Sequence, residues 1–259
     1  MKHSILILFL FKLMTTSAQT IVDTIDYQPN YEFIAPIKIL DDRSADLYYK
    51  EANNYFLNND IIPALALIDK AVKMDNENAD YWMLNAWINL RALNKKEAVF
   101  AAQKAAILAP NNWKALYCLA YCKQNNNDFV GAVLDYSKVI ALQPNNYLAV
   151  IGRAEAKTAL KNYESAIQDY ALAIAIQPFE VKAYISRGIL YYKINYMQDA
   201  INDLSAAIVK TQDSDLAYFY RGLAYLKLNQ AGDACTDFLK ANDLGNKEAE
   251  DYIKKNCIR

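Results

Sequence analysis

Arginines and aspartates recur in this 259-residue chain at a fixed interval that could support acid–base chemistry. Each stands 34 residues from the next of its kind: Arg153, Arg187 and Arg221, and Asp135, Asp169, Asp203 and Asp237. Because the aspartates begin one interval earlier, we predict ion pairs between successive units. The expected pairs are Asp135–Arg153, Asp169–Arg187, Asp203–Arg221 and Asp237–Lys255. A catalytic acid–base set is the alternative, but a periodic ladder favours a structural role.

The remaining composition argues against the common catalytic chemistries. The one histidine, His3, lies at the extreme N-terminus, which disfavours imidazole bases, His-activated nucleophiles and His-ligated zinc. Six glycines leave little material for phosphate-binding loops. We therefore expect no catalytic residues, no metal and no cofactor. The net charge of −1 does not favour nucleic acid as a partner.

Four cysteines could form disulfides or remain as buried thiols: Cys118, Cys122, Cys235 and Cys257. Cys118 and Cys122 lie four residues apart on one predicted helix, a poor geometry for a bridge, so we interpret them as small buried hydrophobic residues. Cys235 lies on the last repeat and Cys257 on a helix that should pack against it. A disulfide between these two is one prediction, and two free thiols are the alternative.

The N-terminus has the pattern of an export signal over residues 1–18. Lys2 and His3 precede an apolar run at 5–11, and small residues at 16–18 precede Gln19. The run is shorter than the roughly 20 residues of a membrane-spanning helix. We predict a cleaved signal peptide and a periplasmic or secreted protein with no membrane span after cleavage. An uncleaved anchor is the alternative.

Residues 19–44 differ from both neighbours. They are rich in isoleucine and tyrosine, and Pro29 and Pro36 interrupt any helix. Two interpretations stay open: a flexible leader, or an extended segment that docks on the rest of the chain or on a partner.

Self-similarity at 34 residues organises the rest of the chain. Six units follow one another without insertion: 45–78, 79–112, 113–146, 147–180, 181–214 and 215–248. Unit position 8 is always Ala or Gly, position 20 is always Ala, and position 27 is Ala or Val. Small residues at helical spacing let two helices approach closely, so each unit predicts a helix pair. Asn or Asp at position 16 should cap the second helix, at Asp60, Asn94, Asp128 and Asn162.

This pattern resembles the tetratricopeptide repeat family over residues 45–248. The resemblance implies an all-α fold, a right-handed α-solenoid of helix-turn-helix repeats with a concave groove. Residues 249–259 continue the register, with Tyr252 at position 4, and predict a C-terminal capping helix.

The resemblance also implies where a partner would bind. In that family, positions 2, 5, 9 and 12 of the first helices line the concave surface. The candidate groove residues are Tyr49, Asn53, Phe56, Met83, Trp87, Tyr117, Tyr121, Ile151, Glu155, Ile185, Tyr192 and Phe219. Most are apolar or aromatic, so recognition should depend on burial more than on charge. The alternative is that this stripe is core, covered by a tight superhelix or by residues 19–44.

Some members of the family hold a peptide's C-terminal carboxylate with Lys, Asn and Arg at set groove positions. Here Asn53 matches the expected asparagine. Tyr49 and Cys118, however, stand where the clamp would have basic side chains, so this carboxylate clamp is largely absent. We expect an exported scaffold or adaptor that binds a protein or peptide in its groove. The alternative is a structural subunit of an envelope or secretion assembly whose groove is filled by residues 19–44.

Overall fold

The computed structural model describes residues 44–257, which form thirteen α-helices and no β-strand in that range. The predicted signal peptide at 1–18 and the segment at 19–44 lie outside the described residues, apart from Ser44. Six helix pairs are followed by one further helix. Their bounds are α1 Ala45–Leu57, α2 Ile61–Met74, α3 Ala79–Arg91, α4 Lys95–Leu108, α5 Trp113–Asn125, α6 Phe129–Leu142, α7 Tyr147–Ala159, α8 Tyr163–Ile176, α9 Val181–Lys193, α10 Met197–Lys210, α11 Asp215–Lys227, α12 Ala231–Asp243 and α13 Lys247–Asn256.

The small residues of the repeat form the helix–helix contacts. In the first unit, Ala52, Ala64 and Ala71 are all 0% exposed, and the equivalent residues of the later units are also buried. Without a large side chain at these positions, the two helices of a unit approach closely, and each helix then packs on the next along the chain. The all-α solenoid of helix-turn-helix repeats predicted from the sequence is confirmed.

The turn inside each unit uses one residue with a left-handed backbone. Position 15 has a φ between 60° and 65° in every unit, at Asn59, Leu93, Asn127, Lys161, Asn195 and Asn229. Four of these are asparagine, which tolerates this region better than most residues do. The chain therefore reverses direction at the same position in every unit. This position determines which residues of the first helix lie beside which residues of the second helix.

The predicted caps of the second helices form at only one of the four positions. The Asp128 side chain accepts a hydrogen bond from the Gly131 N–H, whereas Asp60, Asn94 and Asn162 make no side-chain cap. The caps of the first helices are more regular, because Ser44, Asn78, Asn112, Asn146, Ser214 and Asn246 each accept from a backbone N–H of the first turn. Position 34, just before each unit, is thus the better capping site.

The arginine–aspartate ladder is real, but its predicted pairing across unit boundaries is wrong. Arg153 pairs with Asp169 at 2.7 Å, and Arg187–Asp203 and Arg221–Asp237 repeat the contact at 2.7 Å. Each pair joins positions 7 and 23 of one unit. These positions lie eight residues before and after position 15, so an antiparallel helix pair brings them to the same height. Asp135 instead binds Lys123 and Lys138, and the predicted Asp237–Lys255 pair does not form because Asp237 faces Arg221.

The last helix, α13, begins at Lys247, two residues before the predicted capping helix. Its Tyr252 ring packs on Phe219 and Phe238, with ring centroids 5.6 and 5.1 Å apart. Cys235 on α12 and Cys257 at the end of α13 form a disulfide with Cα atoms 5.5 Å apart. Cys118 and Cys122 are buried free thiols. Helix α13 therefore covers the end of the apolar core with its inner side and presents its polar side to the solvent.

Removing the disulfide should loosen this cap. We expect Cys257→Ser to lower the stability of the α12–α13 contact by about 2 kcal/mol, because a bridge across 22 residues limits the unfolded chain. Hydrogen exchange of α13 should speed up while that of α5 stays unchanged, and thiol labelling of the unfolded, unreduced wild type should find two thiols. Four reactive thiols, or equal exchange of α13 in both proteins, would contradict this.

Candidate functional site

The face formed by the first helices carries the twelve predicted groove residues, and it divides into a buried and an accessible part. Six of them are buried: Asn53, Phe56, Met83, Tyr117, Ile151 and Phe219. The other six are half-buried: Tyr49, Trp87, Tyr121, Glu155, Ile185 and Tyr192. A rigid partner can therefore touch only the second set extensively.

Position 5 is mostly a packing position. Met83 packs on Ala105 of the same unit and Ala115 of the next, and Phe219 lies 6.0 Å from the Phe238 ring, centroid to centroid. The side chain at position 5 therefore fills the junction between the two helices of its own unit and the following unit. Position 5 is thus buried in four of the six units, while position 9, one helical turn further on, is half-buried in the middle units.

An aromatic cluster occupies the centre of this face. The ring centroids of Trp87 and Tyr121 lie 5.4 Å apart, with the rings tilted. Those of Tyr117 and Tyr121 lie 6.1 Å apart, and these two rings are nearly parallel. Trp87 and Tyr121 stand at position 9 of neighbouring units, which places equivalent side chains side by side along the array. We call Trp87, Tyr117 and Tyr121 the aromatic cluster. Rings of this kind supply large contact area at low conformational cost.

A polar bridge follows the aromatic cluster. Glu155 accepts a hydrogen bond from the Gln124 side-chain amide at 3.1 Å, and its other oxygen lies 2.9 Å from the Lys182 ammonium. The bridge spans three units, through positions 12, 9 and 2. Sequence reasoning singled out Glu155 but missed Gln124 and Lys182. The signal was present, since both stand on the stripe that the resemblance assigns to the groove.

Buried hydroxyl groups surround this centre. Burial is the largest cause that raises the pKa of Tyr117 and Tyr121, and the nearby Glu155 carboxylate raises both further. Both phenols therefore remain neutral across the physiological range. Two buried atoms here, the Tyr136 hydroxyl and Gln124 Oε1, have no hydrogen-bond partner. The site is thus an apolar surface with a few fixed polar atoms, the usual character of a recognition site.

The described residues contain neither a cluster of metal ligands nor a helix suited to cross a bilayer. Residues 44–257 contain no group of three or more His, Cys, Asp or Glu side chains that could hold a metal ion. Among the same residues, no helix combines the length and apolarity that crossing a bilayer requires.

Comparison with known families agrees with the repeat pattern. The sequence model of the tetratricopeptide repeat matches residues 119–181, which cover most of the third unit and all of the fourth. Together with the 34-residue helix pairs, this match confirms the resemblance to the tetratricopeptide repeat family. No curated protein matches the chain.

Solved structures share the fold at low sequence identity. PilW, a widely conserved type IV pilus biogenesis factor, is 17% identical with a TM-score of 0.72, over 81% of this chain and 98% of that one. A tetratricopeptide repeat protein from Parabacteroides merdae is 18% identical with a TM-score of 0.64, over 96% and 99%. YrrB, a repeat protein with an unusual peptide-binding site, is 16% identical with a TM-score of 0.58, over 73% and 97%.

Proposed function

We propose that this chain is an exported scaffold that binds a segment of a partner protein across the aromatic cluster and the Glu155 bridge. The observation that carries the proposal is the Trp87–Tyr121 pair. Both of these large aromatic side chains are half-buried, whereas Phe56, Tyr117 and Phe219 on the same face are buried. Accessible aromatic anchors of this type dominate the binding energy of protein interfaces.

The repeat fold supports the same conclusion. Tetratricopeptide repeat proteins bind protein or peptide partners, and the similar YrrB structure is described by its peptide-binding site. Export is supported by the signal-peptide pattern of residues 1–18 and by the Cys235–Cys257 disulfide, because such bonds persist in oxidising compartments.

Site-specific photo-crosslinking in the native envelope tests the proposal. A benzophenone amino acid replaces Tyr121 in the full chain, and a control protein carries it at Val209, which is 85% exposed and lies on the second helix α10. We expect one protein adduct from position 121 that is lost when Trp87→Ala is added. The Trp87→Ala variant must keep the thermal unfolding midpoint within a few degrees, which separates lost contact from lost fold.

Two outcomes would contradict the groove. Equal adducts from both positions would show non-specific contact. A specific adduct from position 209 alone would instead support the alternative, a structural subunit of an envelope or secretion assembly that is held through other surfaces.

A further inference from the structure

A second set of large apolar side chains is exposed on the second helices of the second and third units. Four large apolar side chains are exposed there: Phe100 at 54%, Ile107 at 73%, Val130 at 59% and Leu134 at 61%. Phe100 and Ile107 stand on α4, and Val130 and Leu134 stand on α6. Exposed apolar residues scattered singly need no explanation, but four on two neighbouring second helices form a patch.

A cavity opens between these two helices. It has a volume of about 380 Å³, with Ile107 and Gln103 of α4 on one side, Lys138 of α6 on the other, and Leu116 and Leu119 of α5 among its lining residues. α4 and α6 each pack on α5, which therefore forms the floor. The volume falls in the range of about 300–1,000 Å³ that is common for ligand sites. We call this cavity and the four exposed side chains the α4–α6 surface.

The charge around the α4–α6 surface is positive. α4 carries Lys95, Lys96 and Lys104 against one acid, Glu97. The Lys104 ammonium lies 5.7 Å from the centroid of the exposed Phe100 ring. On α6, Lys138 is 61% exposed, whereas its partner Asp135 is only 2% exposed and also binds Lys123. Together, α4 and α6 therefore carry four lysines against two acids, and one of those acids is shared between two lysines.

Two later second helices differ from α4 in charge. α8, two units after α4, carries Glu164 and Asp169 and no basic residue. At position 29, α10 does expose Val209, which is 85% accessible, but α10 carries Asp199 and Asp203 against Lys210. Of these three second helices, α4 alone combines exposed apolar side chains with a net positive charge.

We propose that the α4–α6 surface is a second docking site, for an amphipathic helix of a partner protein with an apolar face and an acidic flank. A groove between two helices accepts the ridge of a third helix, with leucine or isoleucine side chains entering the cavity. Carboxylates on the flank then lie against Lys104 and Lys138, which fixes orientation and discriminates against basic partners. A membrane surface would contact the exposed side chains but would not reach the recessed floor formed by Leu116 and Leu119.

A binding titration with defined peptides tests this. The probes are an 18-residue helix of leucine and glutamate with leucines at spacings of three and four, and its partner with lysine in place of glutamate. We expect the full chain to bind the acidic peptide, and Ile107→Glu and Lys104→Glu each to weaken binding about tenfold, as the loss of a central interface contact does. Two controls share unit positions with these sites: Val209→Glu at position 29 and Lys240→Glu at position 26 should leave binding unchanged.

Several results would overturn the proposal. If the lysine peptide binds as tightly as the acidic peptide, charge does not determine recognition. If the two control variants weaken binding as much as Ile107→Glu and Lys104→Glu do, the peptide does not bind at the α4–α6 surface. Loss of peptide binding in Trp87→Ala would move the peptide to the aromatic cluster. Sedimentation with vesicles containing anionic phosphatidylglycerol, without any binding of the acidic peptide, would assign the surface to a membrane.

Discussion

Arg221→Met should destabilise the sixth unit and its cap by about 3–5 kcal/mol, because it leaves a buried carboxylate without its partner. The Arg221 guanidinium donates to both oxygens of Asp237, from Nε at 2.8 Å and from Nη2 at 2.7 Å, and also to Ser205 Oγ of the previous unit at 2.9 Å. Asp237 is only 3% exposed. Methionine preserves much of the packing volume but supplies no hydrogen-bond donor. The loss of unfolding free energy therefore measures the ion pair between residues 221 and 237.

Denaturant unfolding of the variant measures this loss, with a second substitution as the main control. Arg221→Met combined with Asp237→Leu should recover most of the stability, because an apolar pair of similar size removes the unpaired charge. Lys254→Met, which breaks the exposed pair with Glu250, should leave the unfolding midpoint unchanged. If the double variant is as unstable as the single one, packing and not the charge carries the effect.

The Arg221→Met effect should also depend on pH in one direction. Burial already raises the pKa of Asp237 above its ordinary value, and Arg221 opposes that increase. Without Arg221 the folded-state pKa of Asp237 rises further, while its unfolded-state pKa stays at about 3.9. The folded variant then binds a proton that the unfolded chain has lost, so stability falls as pH rises through the folded pKa. The difference from wild type should therefore shrink as the pH is lowered towards about 4; a constant difference would contradict it.

Gly152→Ala should cost about 3 kcal/mol, at the upper end of overpacking substitutions. A Cβ at Gly152 would stand 2.7 Å from the hydroxyl of Tyr136 and 2.7 Å from its Cε1. Tyr136 is 0% exposed and its ring also packs on Tyr117, so it has no free space to move into. The helix α7 needs glycine here because the tyrosine of the preceding unit crosses it closely.

A second glycine gives the matched control for this prediction. Gly232 lies on the exposed start of α12, and an added Cβ there would meet no atom within 4 Å. Gly232→Ala should therefore stabilise the protein by about 0.5–1 kcal/mol through helix propensity. Thermal unfolding should move the two midpoints in opposite directions. Tyr136→Leu should restore part of the stability of Gly152→Ala, and no recovery would place the clash elsewhere.

The sequence by itself determined the helices and their order. Small residues at positions 8, 20 and 27 repeat every 34 residues, and helix periodicity turns that interval into two packed helices per unit. The first helices begin at residues 45, 79, 113, 147, 181 and 215, the starts that the repeat predicts. This part is local, because a residue's face on its own helix follows from spacing alone.

Spacing alone did not determine which neighbour a side chain meets. It placed Arg153 near an aspartate but chose Asp135 of the previous unit, whereas the helix pair reverses at position 15 and brings Arg153 to Asp169. It placed Met83 and Trp87 on one stripe, but the next unit covers Met83 and leaves Trp87 half-buried. The contacts made by an added helix depend on the turn and on the packing of three helices at once, so only the tertiary structure decided the ladder, the accessible aromatic cluster and the α4–α6 surface.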